Sequence, residues 1–189
     1  MFLFGARDVW FVVGVPVYFQ SVLSDGTAEG RREAFFLVGG FMALWIIGYG
    51  AVQALAPAIT GLRSGPVPDG RAAFGWALPL AALTAGLAAA LWAGWPAQAV
   101  LVTGLLAFGV LFALNSALHS YLIVSYARED GVSLDVGFYY MANAGGRLLG
   151  TVLSGAVYQA LGLAACLWFS AAFLALSAAV VLALPHPRT

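Results

Sequence analysis

A few side chains in this sequence have chemistry out of keeping with their surroundings. Arg7 and Asp8 adjoin inside the first apolar stretch. Three further pairs lie four residues apart in apolar runs: Tyr49 with Gln53, Asn115 with His119, and Asn143 with Arg147. A spacing of four places both members of a pair on one face of a helix. The chemistry they suit is anion binding. An arginine presents a planar fork that grips phosphate or carboxylate through two hydrogen bonds, and Arg7 and Arg147 supply two such forks. Tyr49, Gln53, Asn115 and Asn143 add hydrogen-bonding groups without charge. The ordinary titration range of His119 makes it a candidate proton carrier. Asp8 is expected to restrain Arg7 when no anion is bound, although neighbours in a helix do not face one another.

The elements that must position these groups follow from composition. Apolar residues make up 62% of the 189 and charged residues 8%, and mean hydropathy is +0.94. Soluble domains carry about a quarter charged residues, so the surface here is expected to face lipid. Eight arginines balance eight acidic residues, lysine is absent, and no basic face can be assembled for nucleic acid. Cys166 is a single cysteine in an apolar run and reads as a small packing residue. The first stretch is no signal peptide, because Arg7 and Asp8 interrupt it and no small-residue cleavage site follows.

A spanning helix needs about 20 mostly apolar residues. Six segments qualify, over about 2–23, 34–60, 74–95, 97–125, 136–160 and 163–184. The polar run 24–33 reads as a loop, and Gly94 with Pro96, and Gly162 alone, mark tight turns. Six spans put both termini on one side, together with Arg7, Arg63, Arg71, Arg128 and Arg188, against Arg31 and Arg32 on the other. The positive-inside rule makes the first side cytoplasmic in a cell (inner) membrane. At about 1.5 Å per residue, Arg147 lies roughly 16 Å past Val136, near the midplane. His119 falls in the cytoplasmic half and Arg7 and Asp8 at the cytoplasmic end of the first span, so all are expected to line one cavity open to the cytoplasm. Small residues let helices approach closely in lipid. Gly146, Gly150 and Ser154 in the fifth span, and Gly39, Gly40, Gly48 and Gly50 in the second, are expected to mark such contacts.

Several runs carry a family resemblance. Ala142-Asn143-Ala144-Gly145-Gly146-Arg147-Leu148-Leu149-Gly150, followed by Ser154-Gly155, resembles the eleventh helix of major facilitator superfamily permeases. Gly61 through Gly65 with Asp69-Gly70-Arg71 looks like a worn copy of that family's cytoplasmic loop motif, lacking its Asp-Arg pair. Residues 4–14 and 45–53 resemble the organoarsenical efflux permeases of the ArsJ type. The resemblance implies an all-α membrane protein whose six helices form the C-terminal half of a twelve-helix permease. It implies an N-terminal six-helix half as partner, with the substrate site between the halves. It also implies export of 1-arseno-3-phosphoglycerate, an anion supplied by a glyceraldehyde-3-phosphate dehydrogenase. Met1 is then an internal methionine of a longer protein.

Other readings stay open. Arg147 pairs with an acidic residue of the other half, Arg7 and Asp8 snorkel to the interface, His119 is a structural hydrogen-bonding group, or Tyr49 and Gln53 bridge helices. The alternatives for function are a major facilitator half for a drug or sugar, and a six-helix scaffold that transports nothing. No enzyme, metal or cofactor reading fits. Ser154-Gly155 lacks the glycine that an intramembrane serine protease needs two residues before its nucleophile, since Val152 stands there, and His119 precedes it. No phosphate-cradling Gly-x-x-x-x-Gly-Lys run exists, so transport would be secondary rather than ATP-driven.

Overall fold

The computed structural model describes residues 1–60, 68–127 and 131–184. They form seven α-helices: α1 (Phe2–Phe11), α2 (Gly14–Leu23), α3 (Ala28–Ile59), α4 (Gly70–Trp92), α5 (Ala97–Tyr126), α6 (Val132–Leu161) and α7 (Leu163–Val181). Among the described residues there is no strand. Arg63, Arg128, Arg188 and the first half of the worn loop motif lie outside the described residues, so the arginine asymmetry is only partly represented.

The helix ends have local causes. Pro16 carries no N–H to donate to the carbonyl of Val12, and its ring crowds that carbonyl, so the first span breaks into α1 and α2 around Val12 and Val13. The break was not anticipated from the sequence. The N–H of Gly14, next to it, donates to Ser154 Oγ at 3.1 Å in a buried setting. α3 begins six residues before the expected Ala34, because Thr27 Oγ1 caps it by accepting from the N–H of Gly30 at 2.9 Å. Part of the polar run read as a loop is therefore helix. Asp69 caps α4 in the same way, through the N–H of Ala72 at 2.9 Å, four residues ahead of the expected Phe74. Gly94 and Gly162, at φ of 78° and 79°, turn the chain between α4 and α5 and between α6 and α7.

Among the described residues, five segments are long and apolar enough to cross a membrane: Phe2–Leu23, Ala28–Ile59, Gly70–Trp92, Ala97–Tyr126 and Leu163–Val181. α6 has the length, at 30 residues. Its glycines, tyrosines and polar side chains keep it out of that set. The several long apolar helices are consistent with a membrane-embedded protein.

α1 lies at the centre. It packs on α6 and α7, while α4 joins α7 to α5, and α5 carries α3 on its other side. The core between α1 and α5 is aromatic. Trp10 meets Phe108 edge-on at 5.2 Å, Phe108 stacks on Phe112 at 5.4 Å, and Phe4 meets Phe112 at 5.7 Å. Such offset and edge-on pairs exploit the ring quadrupoles beyond simple burial.

Candidate functional site

The first span and α6 run parallel, as their paired positions show. Met1 meets Asn143, Asp8 meets Arg147, and Gly14 meets Ser154. Glycine makes this seam possible. A Cβ at Gly150 would stand 2.5 Å from the carbonyl oxygen of Gly5 and 3.1 Å from Cβ of Asp8. One at Gly5 would stand 2.8 Å from the carbonyl of Gly146, and one at Gly146 would strike the carbonyl of Met1. The expected stripe of Gly146, Gly150 and Ser154 is therefore a true backbone contact. The second stripe is not. Cβ atoms at Gly39, Gly40, Gly48 and Gly50 would meet nothing within 4 Å.

The close approach carries three charged groups together. Asp8 is buried, at 1% exposure. Its Oδ1 accepts from Arg7 Nε at 2.6 Å, and its Oδ2 accepts from Arg147 Nε at 3.0 Å. The objection that adjacent helical residues do not face one another is overturned here, because the long Arg7 side chain folds back onto its neighbour. Arg147 has an acidic partner within the chain itself, Asp8. Asp8, near the start of the first span, is level with Arg147 in the middle of α6, fifteen residues past Val132. Two guanidiniums on one carboxylate leave one positive charge in excess.

The two arginines differ in exposure. The Arg7 side chain is 14% exposed, and its guanidinium carbon lies 5.5 Å from the centre of the Phe112 ring. Such a cation–π contact suits a guanidinium away from water. The Arg147 side chain is 57% exposed. Both use Nε on Asp8, and neither gives its terminal amines to that carboxylate.

The remaining predicted residues are spread more widely. Asn143, one turn before Arg147, accepts from the Met1 amine at 3.1 Å. Tyr49 reaches the arginines only through Phe112, whose ring it meets at 5.7 Å while stacking on Trp45. Gln53 donates to Ser116 Oγ at 3.2 Å, which bridges α3 and α5. Asn115 donates to the carbonyls of Trp76 and Leu111 at 2.8 and 2.9 Å, tying α5 to α4. His119 Nδ1 donates to the Asn115 carbonyl at 2.9 Å, so its hydrogen bond stays within its own helix. The structure thus gathers Arg7, Asp8 and Arg147, sets Asn143 and Tyr49 beside them, and gives Gln53, Asn115 and His119 other partners. Sequence reading missed Phe112 and the acceptor role of Ser154. Phe112 sits in an unbroken apolar run with no distinguishing signal, whereas the place of Ser154 in the stripe was visible.

The broad clefts lie elsewhere. A groove of about 770 Å³ between α2 and α3 has walls of Val17, Phe35, Val38 and Met42 with Arg31 at its edge. Another of about 670 Å³ lies between α4 and α5. The arginine cluster instead opens on a face of the bundle, through Arg147. Among the described residues no three His, Cys, Asp or Glu side chains gather where a metal ion would be held.

What the fold and site define is a class: an all-helical protein with several helices apolar enough for a membrane and a buried, net-positive ion cluster between two of them. No protein-family model, curated protein or solved structure matches the chain.

Proposed function

We propose that this chain is a six-span half of a secondary transporter, of the major facilitator type, that moves a small organic anion. In this reading α6 is the fifth of six spans, both termini are cytoplasmic, and a second six-helix bundle covers the face that carries Arg147. The observation that carries the reading is the Asp8 cluster: two arginines from two helices share one buried carboxylate through Nε. A charge at the middle of a spanning helix costs several kcal/mol, on the order of 2.5–3.5 on insertion scales, and marks a functional place by default. Asp8 offsets one guanidinium and leaves the other to an anion. A half-exposed Arg147 at mid-helix cannot be left to lipid, so that face suits a watery cleft between two bundles. The resemblance of 4–14 and 45–53 to organoarsenical efflux permeases supports a phosphate- or arsenate-bearing cargo such as 1-arseno-3-phosphoglycerate, with a glyceraldehyde-3-phosphate dehydrogenase as its source.

The test is Arg147→Lys. A lysine can still pair with Asp8, so folding is retained, but a single ammonium has no fork left for a ligand. Efflux of the arsenate-derived compound is measured in cells supplying the dehydrogenase and an N-terminal half. It is expected to fall at least about tenfold in Arg147→Lys, and further in Arg147→Ala. A second reading, a scaffold stapled by an ion triad, is favoured by the fact that Asp8 satisfies both arginines. Full efflux by Arg147→Lys with unchanged expression removes Arg147 from the site and leaves that reading standing.

A further inference from the structure

Asp8 occupies an unusual place for a residue beside an anion. It is a negative charge buried at the centre of the positive cluster, and both its oxygens are taken, by Arg7 Nε and Arg147 Nε. The guanidinium edges that remain are the terminal amines. An anion seated on them shares the same two planar cations with Asp8 instead of replacing it. It therefore sits on the order of 5 Å from the buried carboxylate, close enough for like charges to repel. A singly charged anion meets that repulsion once and a doubly charged anion meets it twice. The attraction of the two arginines for the dianion also doubles, so the carboxylate's repulsion halves what a second anionic charge would gain from them.

We infer that Asp8 is the specificity-determining residue of this site: by holding the cluster at one net positive charge instead of two, it shifts preference away from doubly charged and toward singly charged tetrahedral oxyanions. The inference rests on the anion-site reading above and adds to it which ionisation state of the cargo is preferred. Other charges reach the site to a degree. The Met1 amine on Asn143, one turn from Arg147, is one. None of them changes the direction of the effect, because removing the Asp8 charge must shift preference toward the dianion whatever else surrounds it. The positioning role is separable. The Nε bonds orient both forks, and a neutral amide or hydroxyl at this position still accepts one of them.

The experiment uses two ligands of the same shape and different charge. Methyl sulfate is a monoanion, and methyl phosphate at pH 8 is a dianion, since a phosphate ester loses its second proton near about pH 6. Their dissociation constants are measured by calorimetry on the chain together with an N-terminal half in lipid nanodiscs, for the wild type, Asp8→Asn, Asp8→Ser and Asp8→Glu. The ratio of methyl sulfate to methyl phosphate dissociation constants is expected to rise at least about tenfold in the two neutral variants and to stay at its wild-type value in Asp8→Glu. A structural role alone would weaken both ligands together and leave the ratio unmoved, which overturns the inference. So does a ratio that falls. Neutral variants that cannot be folded at all would make Asp8 a brace and overturn it as well. Absence of binding of either ligand to the wild type instead sinks the anion site, and the inference falls with it.

Discussion

Along α6, Gly146, Gly150 and Ser154 lie against the backbone of α1 and α2, while along α3 Gly39, Gly40, Gly48 and Gly50 face open space. Both helices are rich in small residues, recurring every four on α6 and scattered around α3, and the outcome is opposite. The difference lies in what the neighbouring helix offers. α1 carries Gly5, Ala6 and the Pro16-induced break, so two backbones meet without side chains between them. α3 turns a different edge to the bundle, where Trp45 is buried against Gly109 and donates its indole N–H to the Leu105 carbonyl at 2.7 Å. One helix is held by backbone proximity and the other by side chains that reach across. Small residues permit contact and do not by themselves produce it.

The largest effect that would break this comparison comes from filling a glycine on each helix. In Gly150→Leu the new Cβ falls 2.5 Å from the Gly5 carbonyl oxygen, and neither backbone can yield without parting the helices. The fold is expected to lose about 3 kcal/mol or more, the upper range of overpacking. In Gly48→Leu nothing lies within 4 Å. Stability is expected to change by no more than about 1 kcal/mol, and upward, since glycine in a helix interior costs about that much. Thermal unfolding of the two purified variants decides it. Equal losses would mean that the α3 face is covered as closely as the α6 face.

A smaller contrast follows from hydrogen bonds. Ser154→Ala removes the acceptor of the Gly14 N–H and leaves a buried donor beside the helix break, at a cost of about 1–3 kcal/mol. Trp45→Phe removes a donor instead. The Leu105 carbonyl belongs to a helix, so the loss is expected to be about 1 kcal/mol. Denaturant titration of both in the same detergent orders them, and a larger loss at Trp45 would reverse the assignment of which seam depends on a single side chain.

How much of this was legible in the sequence depends on the kind of interaction. Apolar length gave the helices and their approximate places, because hydrophobic segments of that size have few other uses. Gly162 and Gly94 gave the turns, because only glycine is at ease at positive φ. The ends were read several residues short at Thr27 and Asp69, since a cap lies among polar residues that look like loop until the helix is seen to start there. The Asp8 cluster was half legible. Arg7, Asp8 and Arg147 all stood out as charges in apolar runs, but their union depends on the parallel packing of α1 on α6, across 139 residues of chain. His119 and Asn115 share a helical face as expected and use it to bond their own helix and α4, an outcome that spacing of four leaves undetermined.

The smallest expected effect concerns how α3, the helix without a backbone seam, is fixed at its start. Asp25 is exposed, and its carboxylate accepts from the backbone N–H of Thr27 at 2.9 Å and from the Thr27 hydroxyl at 2.7 Å. Those two bonds, the hydroxyl foremost, hold the Asp25 carboxyl below the usual aspartate range. A carboxyl lowered on folding stabilises the folded form above its ordinary titration range, and that contribution is lost as pH falls through the lowered folded value. Thr27→Val removes the hydroxyl and spares the backbone N–H, so the Asp25 carboxyl is expected to move part of the way back toward an ordinary aspartate. The same hydroxyl oxygen caps α3 through Gly30, so stability at neutral pH falls as well, by about 1 kcal/mol. Carbon NMR of the Asp25 carboxyl across the acid range, in wild type and variant, separates the two consequences. An unchanged Asp25 titration with a full capping loss would show that the hydroxyl serves the helix alone. An unchanged stability would show that α3 is anchored by Trp45 and Gln53 further along and needs no fixed start.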